Sequence, residues 1–196
     1  ICLRTDVYNT RRTGPGAGSI AVYGVDTAEL IGAHAVMNML FPFAENEETN
    51  TKDCADLVQT SLESDIPIIL ETLPYGLGQT DKYTVDNVRF AVRLAAELGA
   101  DVVKTCYPTN ATVDEFKSIV NECYVPVVVL GGSAMGDDAS LFKMVENAIK
   151  AGASGIAIGR NVWQHPNPPA VARSLAAIVH EEASALEALA LMKEAL

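Results

Sequence analysis

The chain has 196 residues, 49% of them hydrophobic and 20% charged, with a formal net charge of −11. That length and balance suit one globular domain with a substantial core and argue against disorder. The acidity argues against a nucleic-acid or anionic-membrane partner, because no broad basic surface can release counterions, and it still allows a small anionic substrate held by a few local cations.

No apolar run approaches the roughly 20 residues of a membrane helix, and no basic leader precedes a cleavage site, so the expected setting is cytoplasmic. The four cysteines, Cys2, Cys54, Cys106 and Cys123, are scattered without a CxxC pair, which points to reduced thiols.

In chain order, β-branched apolar runs predict strands over Ile1–Tyr8, Ala35–Phe41, Pro67–Thr72, Ala100–Thr105, Pro126–Leu130 and Gly155–Ile158. Amphipathic periodicity predicts helices over Thr27–Gly32, Thr51–Ser64, Thr84–Leu98, Val113–Glu122, Asp138–Ala151 and Pro169–His180. Gly14–Gly18 reads as a loop at a barrel mouth. The Ala-, Leu- and Glu-rich tail, 181–196, reads as an extra helix packing on the domain 1–180 or on a neighbouring subunit.

Alternating strands and helices with nearly continuous apolar strands imply an α/β fold whose parallel sheet is covered on both faces. The phrases Glu97-Leu-Gly-Ala-Asp-Val-Val and Lys150-Ala-Gly-Ala-Ser-Gly-Ile, with the similar Ile31-Gly-Ala-His-Ala-Val, each carry glycine where a helix ends. This repetition favours a TIM (β/α)8 barrel. Six units are visible, so the expectation is an N-terminally truncated chain showing six of eight βα units. The alternative is a complete six-stranded open sheet.

In such barrels the chemistry sits at the carboxyl ends of the strands. Lys104 ends the apolar run Ala100–Thr105. Apolar surroundings disfavour the ammonium form and free an amine to attack a carbonyl, although a lysine snorkelling from a strand end has the same local sequence. The preceding strand ends in Glu71, able to exchange protons with Lys104 or only to pair with it. Cys106 falls on the face of Lys104 if that strand continues, and otherwise reads as a small buried filler. The last two strands end in Leu130-Gly-Gly-Ser-Ala and Ile158-Gly-Arg-Asn. Glycines there permit close backbone approach and Arg160 offers a fork suited to phosphate; tight turns with a surface arginine are the plainer reading. His34, His165 and His180 are too dispersed to suggest a metal site, and neither a Walker loop nor a nucleotide-binding glycine motif is present. No metal and no cofactor is expected.

The runs Val102-Val-Lys-Thr-Cys-Tyr-Pro, Val127-Val-Val-Leu-Gly-Gly and Ala153-Ser-Gly-Ile-Ala-Ile-Gly-Arg-Asn-Val-Trp-Gln-His-Pro resemble the archaeal-type class I fructose-bisphosphate aldolase family, within the DeoC/DhnA-like TIM-barrel superfamily. The resemblance runs from about Ile1 through His180. It implies a Schiff-base lysine at Lys104, phosphate binding by Gly131, Gly132, Gly159 and Arg160, to which Ser133 of the same loop is added as a candidate, a phosphorylated sugar or keto substrate, and a homo-oligomer.

Two departures stand out. The family's acid/base tyrosine position reads Leu73 here, which moves proton transfer to Glu71, with Tyr75 and Tyr107 behind it. A lysine that some members carry in the loop after strand seven is replaced by Ser133-Ala-Met-Gly. The expected activity is therefore that of a class I aldolase on a phosphorylated ketose. The alternatives are a relative that processes phosphorylated autoinducer-2, a non-covalent phosphate-binding barrel enzyme, or a non-catalytic remnant.

Overall fold

The computed structural model describes residues 1–7, 19–132 and 137–194. Strand β1 (Cys2–Arg4) is followed by a short antiparallel pair, β2 (Asp6–Val7) and β3 (Ile20–Ala21). Alternating units come next: α1 (Val25–Leu30), β4 (Ala35–Leu40), α2 (Glu47–Ser64), β5 (Ile68–Thr72), α3 (Val85–Leu98), β6 (Val102–Thr105), α4 (Val113–Glu122), β7 (Val127–Leu130), α5 (Asp138–Lys150) and β8 (Gly155–Ala157). Helices α6 (Arg160–Trp163), α7 (Pro168–Glu181) and α8 (Ala185–Glu194) follow.

The six long-range strands pair in parallel in the order β1-β4-β5-β6-β7-β8. Each strand lies beside the one that precedes it in the sheet, and the order never reverses. A doubly wound open sheet requires a reversal, so this is the winding of a (β/α) barrel, here an arc of six strands. Right-handed crossovers that always step the same way put the helices on one face and leave the other to line a cavity.

The two faces differ accordingly. On the helix side Val36, Ile68, Leu70, Val103, Val127 and Val129 are fully buried in one continuous core with Val58, Val88, Val92, Phe116 and Ile119 from the helices. On the opposite face, register places Met39, Glu71, Lys104, Val128 and Gly155 in a single row across five strands. The period-two alternation of a strand thus separates packing from chemistry.

The three Gly-Ala phrases form one device. Gly32, Gly99 and Gly152 all adopt positive φ (65°, 108° and 94°), and the alanine after each donates to a carbonyl five residues back: Ala33 to Ala28, Ala100 to Ala95, Ala153 to Ala148. This is the paired hydrogen bonding of a helix C-terminal cap. The next residue then docks on the preceding strand, with the His34, Asp101 and Ser154 amides donating to the carbonyls of Ile1, Ile68 and Val127. At the other helix ends Thr84 and Asp137 accept from Asn87 and Ser140, and Thr112 with Glu115 completes a reciprocal cap on α4.

The first strand is shorter than the sequence pattern suggests. It breaks at Thr5, whose hydroxyl donates to the Met37 carbonyl and to Asn38 Oδ1, while its own carbonyl accepts from Val22 and Tyr23. Asp6, fully buried, turns out of the sheet into β2. The loop 14–18 lies outside the described residues. Helix α8 packs on α5 and α7 around Leu141, Phe142, Val171, Leu175 and Ala188, and the Ser174 hydroxyl donates to the Ala188 carbonyl. Among the described residues no helix is long and apolar enough to cross a membrane.

Candidate active site

The row that carries Glu71 and Lys104 opens into a cavity of about 620 Å³. Its wall includes Arg4, Glu71, Leu73, Tyr83 and Lys104 on one side, and Gly131, Gly132, Gly159, Arg160 and Trp163 on the other. Among the described residues, three cations, Arg4, Lys104 and Arg160, face it against one carboxylate. A locally positive cavity in a chain of net charge −11 is suited to an anion.

Glu71 and Lys104 are register partners on adjacent parallel strands, so both side chains leave the sheet on the same face at the same height. Lys104 Nζ donates to Glu71 Oε2 at 3.0 Å. Both side chains are largely withdrawn from water, at 12% and 9% exposure. Arg4, reaching from β1, donates through Nη1 to the same Glu71 oxygen at 3.0 Å, and its Nε lies 3.0 Å from Oδ1 of buried Asp6. Burial pushes the Asp6 carboxyl up, and the Arg4 guanidinium opposes that shift.

Across the cavity the two glycine loops touch. Asn161 Nδ2 donates to the Gly131 carbonyl at 2.9 Å, tying the loop after β7 to the turn after β8. A side chain at Gly131 would lie 2.7 Å from Ile158 Cγ2 and 2.9 Å from that same Asn161 nitrogen, so glycine is required by proximity. Gly132 also has a positive φ of 63°. Gly131, Gly132, Gly159 and Arg160 all line the cavity, and Ser133 lies outside the described residues.

Not every residue singled out from sequence arrives there. Tyr75 is absent from the lining; its backbone turns through φ 61° and its ring lies 5.2 Å from that of Phe43. Tyr107 is likewise elsewhere, its ring 4.8 Å from Phe116 in the helix-side core. Strand β6 ends at Thr105, and Cys106 is buried in the same core, where dehydration pushes its thiol up to about 12.

Sequence reasoning missed Arg4, Tyr83, Asn161 and Trp163. Arg4 had a signal, a charge at the end of the first apolar strand, which the strand-end rule covers. Tyr83 had none, since it precedes a helix cap by one residue. Its hydroxyl donates to the Gly76 carbonyl at 2.8 Å, and burial pushes it up to about 12. Leu73, at the position where the resemblance places an acid/base tyrosine, lines the cavity and is 4% exposed.

Known proteins resemble this chain in sequence and fold. A class 1 fructose-bisphosphate aldolase of Halobacterium salinarum is 36% identical over 165 residues, covering 84% of this chain and 62% of the relative. A 2-amino-3,7-dideoxy-D-threo-hept-6-ulosonate synthase of the same organism is 32% identical over 188 residues, covering 96% and 66%. A solved structure of an archaeal fructose-1,6-bisphosphate aldolase, its catalytic lysine covalently bound to the carbinolamine intermediate of the substrate, matches with TM-score 0.83 at 31% identity, covering 91% of this chain and 70% of that one. This chain therefore spans under two thirds of the first relative's length. Residues 8–165 match the DeoC/LacD family aldolase pattern, and the chain belongs to that family.

Proposed function

We propose that the protein is a class I, Schiff-base aldolase, a carbon–carbon lyase acting on a phosphorylated ketose or related keto-phosphate in carbohydrate metabolism. The observation that carries this reading is the Lys104–Glu71 pair, 3.0 Å apart and facing a cavity whose far wall is built of Gly131, Gly132, Gly159 and Arg160. The archaeal fructose-1,6-bisphosphate aldolase with its lysine bound to a carbinolamine supports it.

In this mechanism Lys104 enters as the neutral amine, its proton released to solvent, and adds to the substrate ketone, forming a carbinolamine. Loss of water leaves an iminium. The adjacent carbon–carbon bond then breaks, its electron pair flowing into the iminium to give an enamine, while the departing carbinol passes its hydroxyl proton to Glu71 and leaves as an aldehyde. Protonation of the enamine carbon and hydrolysis of the iminium release the second product and restore the lysine. The iminium polarises the bond, so the scheme requires no metal. The phosphate rests on the glycine loops and Arg160. The reading carries with it a cytoplasmic setting, expected from the sequence, and a homo-oligomer, which rests on the family resemblance.

A substrate other than fructose 1,6-bisphosphate is favoured by Leu73, which puts an aliphatic side chain in the cavity at the acid/base position. A phosphorylated autoinducer-2-like ketone or a hept-6-ulosonate precursor belongs in the same panel, the latter because of the Halobacterium synthase.

The test is borohydride trapping of the full-length protein with dihydroxyacetone phosphate and that panel, read by peptide mass spectrometry. A reduced adduct on Lys104 that vanishes in Lys104→Met is the expected result. A folded, phosphate-binding protein that never forms the adduct overturns the covalent reading in favour of a non-covalent barrel enzyme.

A further inference from the structure

Two cations converge on one oxygen: Arg4 Nη1 and Lys104 Nζ both lie 3.0 Å from Glu71 Oε2, in a corner where Glu71 and Lys104 retain about a tenth of their exposure. The two donors are chemically unequal. A guanidinium stays protonated at any pH a protein survives, whereas an ammonium can release its proton. If Lys104 were the sole partner of Glu71, becoming a free amine would strand a buried carboxylate without a counter-ion, which is costly. Arg4 removes that cost, because Glu71 remains paired after Lys104 has become neutral.

We propose that Arg4 is a positioning residue for the reaction, a permanent counter-ion that holds Glu71 and allows Lys104 to exist as the free amine. The inference rests on the assignment of Lys104 as nucleophile but concerns only its protonation. Buried Asp6, 3.0 Å from Arg4 Nε, anchors the guanidinium from the far side. Among the described residues the other ionisable groups near this corner are Cys2, whose thiol burial raises, Tyr83, pushed up to about 12 by burial, and Arg160 in the facing wall.

Competitive acetylation tests this without substrate. Trace acetic anhydride is applied across pH 6–11, and labelling of Lys104 is read by peptide mass spectrometry. In Arg4→Gln the labelling midpoint moves to higher pH, and at a fixed pH below it the reactive fraction falls by about 10-fold, the equivalent of one unit. In Arg4→Lys, which restores a charge but not the planar fork, the midpoint returns most of the way. In Glu71→Gln it moves to lower pH. Because Arg4→Gln leaves Asp6 buried beside no guanidinium, the same comparison is made between Asp6→Asn and Arg4→Gln/Asp6→Asn, where the direction is unchanged. A midpoint that stays put or falls when Arg4 is removed overturns the inference. A wild type that shows the Arg4-dependent shift yet traps no ketose overturns the aldolase reading instead, and one that traps but shows no shift overturns this inference alone.

Discussion

Replacing Gly131 by alanine separates a glycine required by proximity from one that is merely tolerated. The added methyl would sit 2.7 Å from Ile158 Cγ2 and 2.9 Å from Asn161 Nδ2, and Asn161 is itself held by its hydrogen bond to the Gly131 carbonyl. Neither neighbour can swing away freely, since Asn161 is buried and Ile158 packs against the second core. Overpacking of this kind costs about 1–3 kcal/mol. Weakening the Asn161 bond adds about 1 kcal/mol, so the total is around 3 kcal/mol. For a chain of this size that lowers the melting temperature by roughly 6–12 °C. The two loops must also part, so affinity for a keto-phosphate should fall by ~10-fold or more, about 1.4 kcal/mol. Gly159→Ala is the control. Its methyl would have as nearest neighbour the ring of Trp163, a residue that is 68% exposed and can rotate outward, so stability should hardly change. Thermal denaturation and calorimetric titration with dihydroxyacetone phosphate measure both quantities. If Gly131→Ala binds and melts like wild type, the contact between the two glycine loops does not shape the ligand wall and the reasoning fails.

Two other perturbations bear on the proton chemistry and on stability. Leu73→Tyr introduces a phenol into the cavity wall, and because a positioned acid/base contributes on the order of 10²–10⁴ in rate, cleavage of fructose 1,6-bisphosphate should rise by at least ~10-fold in a triose-phosphate release assay; unchanged turnover would leave proton transfer to Glu71. Glu146 accepts from Lys150 at 2.6 Å and Lys143 at 2.9 Å, which holds its carboxyl down to about 2. A depressed carboxyl stabilises the fold above its unfolded value and loses that contribution as pH falls from about 4.5 towards 2. Since both lysines are 60% exposed, the pair of bridges is worth about 1 kcal/mol after solvent screening. Urea melts at pH 7 and pH 2 should show Glu146→Gln less stable by that amount at pH 7 and nearly equal to wild type at pH 2; a constant difference would remove the ionisation argument.

The fold was legible because its signals are local and repeated. Strand positions follow from short apolar runs, and the three Gly-Ala phrases encode the same C-terminal cap, since only glycine takes the positive φ cheaply at Gly32, Gly99 and Gly152. The Glu71–Lys104 meeting was legible for the same reason, as strand-end residues on neighbouring parallel strands that share a register. What was not legible depends on loops and distant pairing. Tyr75 and Tyr107 were chosen for nearness in sequence to Glu71 and Lys104, but a turn through positive φ aims one at Phe43, and the other follows the end of β6 into the core against Phe116. The break at Thr5 could not be read from an apolar pattern, because it depends on hydrogen bonds to Met37 and Asn38 more than 30 residues away.

The row across the sheet explains why the site is lopsided. From β4 to β8 it runs Met39, Glu71, Lys104, Val128 and Gly155: an apolar flank, the charged pair, a second apolar flank, then no side chain. Methionine and valine on either side keep water from the pair and so strengthen its electrostatics. Gly155 is different from the other glycines of the site, since a methyl there would meet nothing within 4 Å. Its role is to leave volume rather than to relieve a clash. Gly155 begins β8, whereas at the carboxyl end of that strand Ala157 lines the cavity beside Gly131, Gly159 and Arg160, two strands away from the charged pair with Arg4 behind it. On the proposed mechanism an extended keto-phosphate would place its carbonyl at Lys104 and its phosphate over the carboxyl end of β8. Filling the cavity there with Ala157→Leu should therefore weaken phosphate binding while leaving the Lys104–Glu71 geometry, and with it the pH profile of Lys104 acetylation, where it is.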